Sequence, residues 1–220
     1  MSLALFDMDG TIIDGDTNDI SFHQYLAQGL IDKSVIDKLN YFEDLFYKGV
    51  LDINEFVRFA VTPLLNFTKE KRDLVLDNIV KNYIYPKVRL GALKQIKFHK
   101  DRGDTVVIVT STMDYLVEVV ARYLKVEYYL GAPMEQQDGR LTGKQAGIVP
   151  FQQDKITCVK EFAMQHHLSL EGAYGYGDSV NDIPMLSICE HKFAVNPNQK
   201  LLEHEFIKEC TVLNWGLEWA

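Results

Sequence analysis

The 220-residue chain is poor in cysteine and in positive charge, and it has no long apolar run. Its three cysteines, Cys158, Cys189 and Cys210, form no CxxC pair. An odd, scattered set argues against a disulfide framework or a zinc site and fits a reducing compartment. No apolar stretch reaches 18 residues, so no membrane-spanning helix is expected. No basic start leads into an apolar signal core, because Asp7 and Asp9 interrupt the first apolar run; the expected compartment is the cytoplasm. Lysine and arginine number 23 against 31 aspartates and glutamates, a formal charge of −8. That balance argues against broad binding to nucleic acid or to an anionic membrane, and leaves room for a small basic pocket that takes a phosphorylated metabolite. Internal repeats and low-complexity segments are also missing.

What is present is an ordinary globular composition, 47% apolar and 25% charged, in a chain long enough for one good core with a smaller insertion. Leu3 to Phe6 reads as a buried strand. A long stretch with helical spacing follows, from about Asn18 to Tyr85, in which Ile36, Leu39, Phe42 and Phe46 recur at three or four residues. After Pro86 the pattern alternates. A helix over Leu90–Lys100 precedes the β-branched strand DTVVIVT, expected to end at Thr110, and a helix over Tyr115–Leu124 precedes the strand VEYYLG. Asp138-Gly139 signals a hairpin turn. Then come a helix over Asp154–His166, the strand GAYGYGD, a helix over Asn181–Ile188, the strand HKFAVN, a helix over Gln199–Lys208 and a final strand in TVLNW. Strands alternating with helices imply βαβ units and a parallel sheet. The expected fold is therefore α/β, a doubly wound parallel sheet with an inserted α-helical cap; residues 1–14 and 87–220 form the core and residues 15–86 the cap.

Ligands of such sheets bind beyond the carboxyl ends of the strands. Asp7 and Asp9 follow the first strand, Thr110 and Ser111 the second, and Asp178, Asn181 and Asp182 a third. Each feature alone has a plain reading: a capped turn at DMD, loop hydroxyls at Thr110 and Ser111, a helix cap at Asp178 or Ser179. These readings explain poorly why all three follow buried strands. Four aspartates at one edge repel, and a divalent cation bound through oxygen relieves that repulsion. Mg²⁺ suits a site with few protein ligands and an incoming phosphoryl group, and the want of a His or Cys cluster disfavours softer metals. Lys155, in a first helical turn where the macrodipole disfavours a cation, either serves an anion or is a solvated surface lysine.

FDMDGT resembles the first motif of the haloacid dehalogenase superfamily. VIVTS resembles the second, Lys155 the third and GYGDSVNDIPML the fourth, in the right order. The resemblance implies a Rossmann-like core and a Mg²⁺-dependent phosphoaspartyl mechanism. Asp7 would be the nucleophile, and Asp9 would protonate the leaving oxygen and then activate water. Thr110, Ser111, Lys155 and Asn181 would contact phosphate. Asp7, Asp9 (through its carbonyl) and Asp178 would hold the metal, with Asp182 supporting them. The second aspartate points to phosphatases or phosphomutases, and the helical insertion resembles the cap of the phosphoserine-phosphatase-like branch.

That branch implies an acidic residue for a substrate amine, here Asp16, and a cap arginine for a carboxylate, here Arg58 or Arg72. Gly10 stands where that branch has serine, so a small amino-alcohol phosphate such as histidinol phosphate is as good an expectation as phosphoserine. The alternatives are a phosphomutase or phosphotransferase with the same intermediate, or a non-catalytic phosphate-binding protein. No partner beyond the phosphorylated metabolite is expected.

Overall fold

Every residue of β1 (Leu3–Phe6) is buried, because this strand lies in the middle of the sheet and is covered on both faces. It pairs in parallel with β2 (Thr105–Met113) on one side and with β6 (Tyr174–Gly177) on the other. With β3 (Tyr128–Ala132), β7 (His191–Val195) and β8 (Thr211–Leu213) they make a six-stranded parallel sheet in the order β3-β2-β1-β6-β7-β8. The computed structural model describes residues 2–217, apart from the side chain of Tyr47. Side chains alternate across the strands. Leu3, Leu5, Val107 and Val109 face one apolar layer with Val159, Phe162 and Met185. Ala4, Phe6, Val106 and Ile108 face the other.

The helical insertion lies between β1 and β2 and comprises α1 (Thr17–Ala27), α2 (Lys33–Lys48), α3 (Ile53–Ala60) and α4 (Lys69–Ile79). Asp16, Asp52 and Thr68 cap α1, α3 and α4 with side-chain oxygens. A π turn at Val80–Ile84 and a 3-10 turn at Tyr85–Lys87 lead back to the core. The outgoing and returning segments are hydrogen-bonded to each other, Asp14 N to Lys87 O and Arg89 N to Ile12 O. Phe22, Phe42, Phe59 and Leu76 join Ala4 and Phe6 in one continuous apolar cluster, so the insertion is seated on the sheet.

The remaining helices, α5 (Leu90–Asp101), α6 (Asp114–Leu124), α7 (Asp154–Gln165) and α8 (Ile183–Ser187), connect the strands. The Asp138-Gly139 turn forms as expected, with both φ angles positive, and closes the antiparallel hairpin of β4 (Met134–Gln137) and β5 (Arg140–Gln145). The hairpin is fastened to the insertion: Arg140 Nη1 donates to Asn66 O (3.0 Å), Gln145 Nε2 to Asn54 Oδ1 (2.9 Å) and Arg72 Nη2 to Gln136 Oε1 (2.9 Å).

Two expectations need correction. The second strand does not stop at Thr110 but runs to Met113, with an irregular pairing to β3 between Val109 and Met113. The expected helix over Gln199–Lys208 is broken into α9 (Gln199–Glu203) and a 3-10 turn at Glu205–Glu209. His204 is extended, and its Nδ1 accepts from Phe206 N, which starts a new turn. Among the described residues no helix is long and apolar enough to cross a membrane.

Candidate active site

The chain turns sharply after β1. Ile12 N and Ile13 N both donate to Met8 O, and Met8 is fully buried while Asp7 and Asp9 line a cavity. Gly10 makes the turn possible. Its φ is +80°, and a Cβ there would lie 2.4 Å from Asp178 Oδ2. A side chain at residue 10 would thus strain the turn and push Asp178 away.

Lys155 is no surface lysine. It is 3% exposed, and its Nζ donates to Asp7 Oδ1 (2.6 Å), Asp182 Oδ1 (2.6 Å) and Val109 O (3.1 Å). The other oxygen of Asp182 accepts from Ser179 N (3.0 Å), Ser179 Oγ (3.0 Å) and Asp178 N (3.2 Å). The turn after β6 is therefore a capping box whose acid also reaches Lys155. Asp7, Asp178 and Asp182 each offer a carboxylate oxygen, all within 4.8 Å of one another. Asp178 is the least engaged of the three, with only Thr11 Oγ1 at 3.5 Å. Burial, then the charges of Asp182 and Asp7, hold its carboxyl well above the usual range. A set of three carboxylates with no nitrogen or sulfur fits a hard cation such as Mg²⁺.

Among the described residues Asp9 has no cationic partner. Its Oδ1 accepts from Thr17 N (2.7 Å) at the start of α1, and its Oδ2 from Thr112 Oγ1 (2.8 Å). Burial, then the Asp16 and Asp7 charges, push its pKa up to about 8 against those two donors. Asp7 is raised to about 7 by burial and by Asp182, with Lys155 opposing. Thr112 was not legible in the sequence, because it lies beyond the apolar run and its partner is 103 residues away.

The cavity above these groups measures about 300 Å³. Thr110, Ser111 and Asn181 line it as expected from their strand ends, and Asn181 Oδ1 accepts from Gln152 Nε2 (3.1 Å). Asp16 also lines it, although its Oδ1 is used to cap α1. Arg58 does not reach the cavity. α3 turns Ile53 and Phe56 toward it and buries Val57, Phe59 and Ala60, which leaves position 58 in solvent. Arg72 is buried elsewhere, against Gln136 of the hairpin. The roof comes from the insertion: Leu39, Phe42, Phe46, Leu51, Ile53 and Phe56, with Phe151 from the core side. Glu43 and Asn18 also line it, and nothing in the sequence marked either as a site residue.

Residues 4–187 match the haloacid dehalogenase-like hydrolase family. The chain is 29% identical over 221 residues to the histidinol-phosphatase of Neisseria meningitidis, covering 97% of this chain and 99% of that protein. Among solved structures, a Bordetella pertussis protein of unknown function superposes with a TM-score of 0.88 at 24% identity, over 99% of both chains. A phosphoserine phosphatase solved as a phospho-aspartyl intermediate analogue has a TM-score of 0.69 at 23% identity, over 97% of this chain and 92% of that one.

Proposed function

The chain belongs to the haloacid dehalogenase-like hydrolase family, among its phosphatases, and we propose that it is a Mg²⁺-dependent phosphomonoesterase acting through Asp7 on a small phosphorylated amine. The observation that carries this reading is the unequal pairing of Asp7 and Asp9. Asp7 faces the Lys155 ammonium. Asp9 faces only an amide and a hydroxyl and is pushed up to about 8, so it holds a proton at neutral pH. Two neighbouring carboxyls with different environments divide the labour of nucleophile and acid.

In this reading an Asp7 oxygen attacks phosphorus and the ester P–O bond breaks. The proton on Asp9 passes to the leaving alkoxide, and the alcohol departs. Asp9, now a carboxylate, takes a proton from water as the oxygen attacks the aspartyl phosphate; inorganic phosphate leaves and Asp7 is regenerated. Thr110, Ser111, Lys155 and Asn181 receive the phosphoryl oxygens. A bound Mg²⁺ supplies charge neutralisation for the phosphoryl group. Asp7 and Asp178 would hold it, with Asp182 behind them because both of its oxygens are already engaged. The insertion shields the reacting atoms from water.

The lining also narrows the substrate. Among the described lining residues Lys155 is the only cation, and it sits with Asp7 and Asp182 at the phosphoryl end, where the phosphate takes it. A substrate carboxylate would find no counter-ion, whereas Asp16 and the aromatic roof suit an amine on an apolar body. This favours an amino-alcohol phosphate, such as histidinol phosphate, over phosphoserine.

The test is a panel of small phosphate monoesters assayed for phosphate release with Mg²⁺ and with chelator. Chelator should stop release, and Asp7→Asn should lower it by at least ~10³-fold, because an amide cannot form the acyl phosphate. Release that survives either treatment overturns the mechanism. Faster turnover of phosphoserine than of histidinol phosphate overturns the substrate reading.

A further inference from the structure

The cavity holds more negative charge than phosphoryl transfer uses. Its lining carries six carboxylates, Asp7, Asp9, Asp16, Glu43, Asp178 and Asp182, against the single ammonium of Lys155. Four of the six gather at the phosphoryl end. Asp16 and Glu43 belong instead to the helical insertion and its entry.

These two differ in what already binds them. Asp16 Oδ1 accepts from Asn18 N (2.7 Å) and Asp19 N (3.0 Å), so the amino end of α1 balances part of its charge. The Glu43 carboxylate makes no hydrogen bond or ion pair with any described residue. It is half-buried on α2 among the cavity residues Leu39, Phe42 and Phe46, which share its helix face. Burial, then the Asp19 and Asp16 charges, raise its carboxyl above the ordinary range; the His23 that opposes them is turned to Asp19 (Nε2 to Oδ1, 3.2 Å).

Asn18 gives a second, independent sign. It is 7% exposed and lines the same cavity, and its Oδ1 has no hydrogen-bond partner. Buried amide carbonyls without partners are rare and destabilising. A free carboxylate and an orphaned carbonyl beside the apolar roof of one cavity are both acceptors waiting for a donor.

We propose that Glu43 is the specificity-determining acceptor for a protonated nitrogen on the substrate, with Asn18 Oδ1 and Asp16 completing the set. The substrate class is then alkyl phosphates that carry a cationic nitrogen and no carboxylate. The assignment rests on the phosphatase reading above.

The test compares isosteric esters, 4-aminobutyl phosphate and pentyl phosphate, on the full chain with Mg²⁺. Wild type should favour the ammonium ester by roughly tenfold or more in kcat/KM, as expected when a buried polar group loses its partner. Glu43→Gln should bring the ratio near one, Asn18→Ala should lower it less, and Arg58→Ala, outside the cavity, should leave it alone. The same ratio is read without turnover as Kd values on Asp7→Asn protein. A wild-type ratio near one, or a full ratio kept in Glu43→Gln, overturns the proposal. A Kd preference that depends on Glu43 upholds it even where no ester is hydrolysed, and that result would sink the phosphatase reading instead.

Discussion

Two buried polar clusters flank the sheet, and they are satisfied in opposite ways. The first surrounds His99, near the amino ends of β1 and β2. Gln95 Nε2 donates to Tyr176 Oη (2.8 Å), Tyr176 Oη meets His99 Nε2 (2.9 Å), His99 Nδ1 meets Asp104 Oδ2 (2.9 Å), and Asp104 Oδ1 accepts from Ser2 N (3.0 Å). A neutral imidazole with its proton on Nδ1 satisfies both neighbours, and burial holds the His99 pKa below its usual value. The second cluster, at the carboxyl ends, leaves Asp178 almost unbonded and Asp9 without a cation. A polar group whose partners are all protein contributes to stability. Groups left short of partners reduce it, and they persist where a ligand completes them.

Breaking the two clusters should therefore give different readouts. Asp9→Asn should cut steady-state turnover by about 10²–10⁴-fold and trap a phosphoprotein visible by mass spectrometry when the leaving group departs without a proton. Normal turnover would contradict its assignment. Asp178→Asn should lose Mg²⁺-dependent activity yet unfold at a higher temperature in chelator, gaining about 1–3 kcal/mol as repulsion with Asp7 and Asp182 is relieved. A lower Tm would mean the acidic cluster is not under repulsion. Thr112→Val should lower kcat about tenfold and shift the alkaline limb of the pH–rate profile to higher pH, since the Asp9 carboxylate loses one of its two donors; an unchanged profile would demote Thr112 to packing.

The His99 side should respond in stability alone. Tyr176→Phe should cost about 1 kcal/mol in denaturant unfolding with kcat retained. Acid should also find this cluster. The unfolded chain takes up a proton on His99 near its ordinary value of 6.5, while the fold keeps the ring neutral, so stability falls as pH drops below that value. His99→Gln should flatten this dependence in unfolding curves between pH 7.5 and 5.5.

Much of the fold was legible because its signals are local. The fully buried β1, the β-branched β2 and the Asp138-Gly139 turn each follow from a few consecutive residues. Asp7, Asp9, Asp178 and Asp182 stood out because charge ending a buried strand needs a reason. What could not be read depends on distant partners. Lys155 is buried only because Asp7, 148 residues away, and Asp182 meet it. Thr112 matters only through Asp9, and the choice of cap residues turns on which side of α2 and α3 meets the sheet. Position 43 therefore faces the cavity while position 58 faces water.

The hairpin β4–β5 hangs from the sheet side of the chain but is bonded to Asn54, Asn66 and Arg72 of the insertion. The two layers are thus tied at two separate places, by the chain itself near residues 14 and 87 and by hydrogen bonds at the hairpin. Opening the helical layer would have to carry the hairpin with it or break the three hydrogen bonds that fasten the two together. The body that would move is then larger than the inserted helices alone.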